Sequence, residues 1–146
     1  MERTAQKPSL SIVSKFKCTP DKVWRAWTDP QAMKQWFAPS DAFSVLLAEA
    51  DVRVGGRYRI VMKSPEGEEH DVSGTYREVV RGKKLVYTWA WKSTPERESL
   101  VTVELRAAGG GTELTLKHEQ FFDAEARDRH QHGWDACIVR LERLLA

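Results

Sequence analysis

Residues 123–145 read DAEARDRHQHGWDACIVRLERLL, and this stretch decides the architecture. Asp123 is placed to cap a helix, and Glu125 is favourable in its first turn. Ala126, His130, Trp134, Cys137, Leu141 and Leu144 then recur at steps of four, four, three, four and three. That spacing gives one continuous apolar stripe, widened by Ile138 and Leu145. Arg127, Arg129, Arg140 and Arg143 mostly occupy the opposite surface. A helix of about twenty residues is roughly 30 Å long at 1.5 Å rise per residue, long enough to cross an entire curved sheet.

Upstream of this helix the periodicity changes to two. Leu85, Tyr87, Trp89 and Trp91 alternate with Val86, Thr88, Ala90 and Lys92, as in a strand. Val101, Val103 and Leu105 mark the next strand, and Leu114, Leu116 and His118 the last, after the turn Gly109-Gly110-Gly111. Before them, Val72, Gly74 and Tyr76 share one face, as do Tyr58, Ile60 and Met62. A further strand is expected within 43–52, without a clear facing. Gly55-Gly56, Pro65-Glu66-Gly67 and Arg81-Gly82 supply the intervening turns. Spacers this short favour antiparallel hairpins over parallel crossovers.

Working back to the N-terminus, Thr19-Pro20-Asp21 opens a short helix with a capping threonine and a proline at the first helical position. Val23, Trp24 and Trp27 form its apolar face. Asp29-Pro30 ends it and starts another, with Met33, Trp36 and Phe37 at helical spacing and Ala38-Pro39 as the stop. Leu10 to Phe16 reads as a first strand, and residues 1–9 as a flexible lead-in. The expected domain is thus α+β over 10–146: a curved antiparallel sheet of six to seven strands around a long C-terminal helix, with two short helices after the first strand. A sheet curled around one helix leaves space near the two short helices that the helix alone cannot fill.

The composition narrows the class. A chain of 146 residues with 41% apolar content can bury a core without staples. The two cysteines, Cys18 and Cys137, are far apart and form no metal or redox motif, so no disulfide, metal or cofactor is expected and a cytoplasmic location fits. No apolar run reaches membrane-spanning length, and membrane insertion is not expected. A net charge of +2 with both signs interspersed argues against a nucleic-acid surface. Six tryptophans (Trp24, Trp27, Trp36, Trp89, Trp91, Trp134) stand out, since large aromatics either fill cores or line cavities.

Six stretches carry a resemblance across residues 10–145: Val23-Trp24-Arg25-Ala26-Trp27-Thr28-Asp29-Pro30, Trp36-Phe37-Ala38-Pro39, Asp51-Val52-Arg53-Val54-Gly55-Gly56, Gly74-Thr75-Tyr76, Thr112-Glu113-Leu114-Thr115-Leu116 and His132-Gly133-Trp134. In this order they resemble the helix-grip (START, or SRPBCC) superfamily of lipid-transfer domains, pollen-allergen-like proteins and aromatase/cyclases. Within it the chain is similar to the bacterial family named after the C-terminal domain of the activator of the heat-shock-protein-90 ATPase. The resemblance implies the helix-grip fold and a pocket; it implies no particular reaction. The eukaryotic activator engages its chaperone through a separate N-terminal domain for which 146 residues leave no room, so chaperone contact is not expected.

The candidate ligand-binding residues are Trp36, Phe37, Tyr58, Met62, Tyr76, Tyr87, Trp89, Trp91, His118, His130 and Trp134. Trp89 and Trp91 either line a pocket or fill the core; Trp36 and Phe37 form either a lid or a plug. His118 and His130 are inward-facing, and a buried imidazole needs partners. They are either satisfied core histidines, polar anchors for a ligand, or acid–base groups. Asp51, Arg53 and Arg57 flank the Gly55-Gly56 turn and either pair with one another or meet a ligand carboxylate. The leading expectation is a binding protein for a small apolar or aromatic molecule, lipid or polyketide-like, in an internal hydrophobic cavity. The alternatives are a cyclase- or hydrolase-type enzyme using a pocket histidine, and an interaction module for a chaperone or regulator. Ligand identity and oligomeric state, a homodimer included, are open.

Overall fold

Each helix begins where an acceptor side chain meets its free N–H groups. Thr19 accepts from the Lys22 N–H at 3.4 Å, Asp29 from Gln31 at 3.0 Å and Asp123 from Ala126 at 2.8 Å. The computed structural model describes residues 7–146. They form β1 (Leu10–Phe16), α1 (Pro20–Thr28), α2 (Pro30–Trp36), β2 (Ser44–Ala50), β3 (Arg57–Lys63), β4 (Glu69–Val80), β5 (Lys84–Trp91), β6 (Ser99–Ala108), β7 (Gly111–Glu119) and α3 (Ala124–Leu144). Of the lead-in expected at 1–9, residues 1–6 lie outside the described residues; the carbonyl of Pro8 accepts from the Phe121 N–H at 3.2 Å.

The seven strands make one antiparallel sheet in the order β1-β7-β6-β5-β4-β3-β2. Consecutive strands pair as hairpins from β2 to β7, and β1 alone pairs far along the chain, Leu10 opposite His118 and Phe16 opposite Thr112. Two bulges bend the sheet, one between Val45 and Leu47 on β2 and one between Tyr76 and Glu78 on β4. Just before the second, Gly74 lies against β5 so closely that a Cβ would sit 1.9 Å from the Thr88 carbonyl oxygen. Only glycine permits that approach. The same carbonyl accepts from the Tyr58 hydroxyl at 2.6 Å, and the Thr88 hydroxyl accepts from the Thr75 N–H at 2.9 Å.

α3 lies in the concavity, as its stripe requires. Ala126, Trp134, Cys137, Ile138 and Leu141 are buried against the inward faces of the strands. Leu144, which the four-and-three stepping places on the stripe, is exposed instead. From Leu141 the next inward position is four residues on, and Leu145 takes it, packed against the core. α1 and α2 close one side, with Trp36 wholly buried and its indole N–H donating to the Ala26 carbonyl at 2.8 Å. This is the helix-grip arrangement. Cys18 and Cys137 are free thiols, and among the described residues no helix is long and apolar enough to cross a membrane.

Candidate functional site

Along β4 and β5 the inward face divides into two ends of different character. At one end Tyr58, Tyr76 and Tyr87 meet as a triad, with ring centroids 5.1–5.9 Å apart. Burial pushes all three phenols well above their ordinary range, so they stay neutral. The void among them, bounded also by Trp27, Met33, Phe37 and Ile60, is about 10 Å³, room for one water at most. This end is packed core.

At the other end an open cleft of about 930 Å³ separates four segments. The α2–β2 connection contributes Phe37, Pro39 and Phe43; β3 and the β3–β4 hairpin contribute Met62, Glu68, Glu69, His70 and Asp71. β5 and its exit contribute Trp89, Trp91, Lys92, Ser93, Thr94 and Arg97, and α3 contributes Arg129, His130, Gly133, Trp134 and Cys137. The floor is aromatic. Trp89 touches Trp134 at 5.3 Å, Trp91 at 5.4 Å and Phe37 at 6.0 Å between ring centroids, and Phe37 meets Trp134 edge-on at 5.6 Å. Trp89–Trp91 and Phe37–Trp134 are T-shaped, Phe37–Trp89 is stacked and Trp89–Trp134 is tilted at 46°.

Two histidines organise the floor. His130, half-buried on α3, bonds through Nδ1 to the Ala126 carbonyl at 2.7 Å. Nδ1 therefore carries the proton, and Nε2 is the acceptor. Two indoles converge on it: Trp91 donates at 2.9 Å and Trp89 at 3.2 Å. His118, fully buried on β7, is arranged in the reverse sense. Its Nδ1 accepts from the Trp134 indole at 3.0 Å, so Nε2–H faces the Ser99 hydroxyl at 2.7 Å, and Ser99 donates on to the Trp89 carbonyl at 3.3 Å. Desolvation by burial, above all, holds both imidazoles below their usual range and keeps them neutral; the neighbouring His130 adds to this at His118. Both nitrogens of each ring are engaged within the protein. Cys137 borders the cleft, but burial pushes its thiol up to about 12, far from nucleophilic thiolate character.

Of the eleven residues singled out in the sequence, Phe37, Met62, Trp89, Trp91, His130 and Trp134 border this cleft. Tyr58, Tyr76 and Tyr87 surround the small void instead. Trp36 and His118 are buried behind the walls, Trp36 beneath α1 and His118 beneath Trp134. Arg53 pairs with Asp51 at 2.8 Å at the Gly55-Gly56 turn, and the Arg57 guanidinium meets the Thr75 hydroxyl at 3.3 Å; none of these borders the cleft. Sequence reasoning passed over the polar rim. His70 was legible, since alternation extends the face of Val72, Gly74 and Tyr76 back by one step. Phe43 and the charged side chains had no such signal.

Known proteins bear on this geometry. Residues 17–146 match the family model described as activator of Hsp90 ATPase homolog 1-like protein. The human activator of 90 kDa heat shock protein ATPase homolog 1 is 24% identical over 126 residues, which are 86% of this chain and 33% of that protein. The chain thus spans about a third of the length of this curated relative. Among solved structures, a Nitrosomonas europaea protein is 28% identical with a TM-score of 0.80, covering 94% of this chain and 93% of its own. A Chromobacterium violaceum protein is 26% identical with a TM-score of 0.85, covering 94% and 96%.

Proposed function

The chain belongs to the activator of Hsp90 ATPase homolog 1-like family, and from that premise we propose that it binds a small apolar or aromatic molecule in the cleft between α3 and the β4–β5 face. One observation carries the reading: about 930 Å³ of open space stands over Phe37, Trp89, Trp91 and Trp134 rather than being filled by side chains. Ligand sites are typically concavities of roughly 300–1,000 Å³ with apolar walls and a few convergent polar groups. The enzymatic alternative is weaker on the same ground. Acid–base work needs an imidazole nitrogen facing the substrate. Here the nitrogens of His118 and His130 are bound to indoles, a serine and a backbone carbonyl. For the interaction module, the exposed large apolar side chains among the described residues, Val13, Leu46, Val54, Val80, Phe122, Val139 and Leu144, are spread over β1, β2, the β2–β3 connection, β4, the β7–α3 connection and α3.

Native mass spectrometry of freshly purified protein should reveal a co-purifying small molecule. A panel of aromatic and fatty compounds should contain members that change tryptophan emission and raise the melting temperature. Linkage supplies roughly 2.7 kcal/mol at a hundredfold excess over the dissociation constant. A broad panel that moves neither signal would sink the reading.

A further inference from the structure

The pairing at His130 is unbalanced. A neutral imidazole offers one lone pair. Nε2 receives two indole N–H donors, Trp91 at 2.9 Å and Trp89 at 3.2 Å, while Nδ1 is committed to the Ala126 carbonyl. Two donors sharing one acceptor leave N–H capacity that an incoming acceptor can take at little cost. The two indoles are not equally able to give it. Trp89 is buried and held by Phe37, His118, His130 and Trp134. Trp91 is half-buried, ends β5 at the cleft, and among the described residues has ring neighbours only in His70, Trp89 and His130.

Resting on the binding function proposed above, we infer that the cleft selects molecules carrying a hydrogen-bond-accepting oxygen, a carbonyl or carboxylate on an apolar or aromatic body, and seats that oxygen on the Trp91 indole N–H. Binding moves the Trp91 N–H from His130 to the ligand and leaves the Nε2 lone pair to Trp89 alone. Every N–H and acceptor then has one partner. A ligand whose only polar group is a donor gains nothing there, because the lone pair it needs is already taken.

The test uses two compounds of nearly equal shape, 2-acetylnaphthalene and 2-isopropenylnaphthalene, titrated into protein with ¹⁵N-labelled tryptophan. The ketone should bind about fivefold tighter than the hydrocarbon, the range that one net hydrogen bond supplies. The Trp91 indole cross-peak should move more with the ketone than with the hydrocarbon. In Trp91→Phe the ratio of the two affinities should fall toward one, whatever happens to either affinity alone; a purely structural role for Trp91 would lower both together. Equal affinities in the natural protein, or a preference that survives Trp91→Phe, would overturn the inference while leaving the cleft a binding site. Failure of the ketone to bind would overturn the inference; the function on which it rests falls only if the broad panel also moves neither signal.

Discussion

A buried imidazole is tolerated when both nitrogens have partners, and indole N–H groups supply much of that here. Trp134 is the partner of His118 Nδ1 at 3.0 Å, and Trp134→Phe keeps most of the ring packing while leaving that nitrogen unmatched. The expected loss is about 1–3 kcal/mol, read from the denaturant midpoint. Acid should act through the same residues. Burial holds His118 and His130 below the ordinary value near 6.5, so the unfolded chain takes up these protons at a higher pH than the folded one does. Their contribution to stability is complete above about pH 6.5 and is lost as pH falls from there toward the depressed folded values. The melting temperature should therefore drop as pH is lowered from about 6.5, and His130→Gln should drop less steeply. A variant with an unchanged slope would remove His130 from this account.

At the scale of elements, α3 carries the core. Truncation after Phe122 removes Ala126, Trp134, Cys137, Ile138 and Leu141 from the concave face. Buried large apolar side chains are worth roughly 1.5–3 kcal/mol each, and domains have only ~5–15 kcal/mol of stability, so the shortened chain should show no cooperative melting. β4 and β5 offer a finer test. Gly74→Ala forces a methyl group onto the Thr88 carbonyl and should cost at least about 1–3 kcal/mol in chemical denaturation. A different effect is expected at Arg140, whose guanidinium donates to the Ala38 and Gln35 carbonyls at 3.2 and 3.4 Å and pairs with Asp41 at 3.2 Å. Arg140→Ala should speed amide hydrogen exchange across 38–43, the cleft wall that carries Pro39 and Phe43, with little change in the global melt. Most elements were legible because their punctuation is local: Thr19-Pro20, Asp29-Pro30 and Asp123 for the helices, strict alternation from Leu85 to Trp91 for β5. Trp36 and Phe37 show where locality ends. They are neighbours at a helix terminus and both are buried, yet only Phe37, where the backbone leaves the helix (φ −81°, ψ 63°), also borders the cleft.

For the whole molecule, free Cys18 and Cys137 predict that reduction leaves the melting temperature unchanged, and exhaustive chelation should do the same. A drop of several degrees after either treatment would expose a missed bridge or metal. The cleft was less legible than the fold, since its rim is built by Glu68, Glu69, Lys92, Arg97 and Arg129. Periodicity assigns such charges to solvent, and only the closing of separate segments makes them neighbours. The strand order has a last consequence, for synthesis on the ribosome. β2 to β7 can zip up hairpin by hairpin as they emerge, but β1 has its partner in β7, the final strand made. The first strand therefore leaves the exit tunnel long before anything can pair with it, and Leu10, Ile12 and Phe16 must wait through the translation of six other strands. Those seven residues of β1 are the part of a nascent chain that a ribosome-associated holdase would have reason to cover, until residues 111–119 arrive to release them.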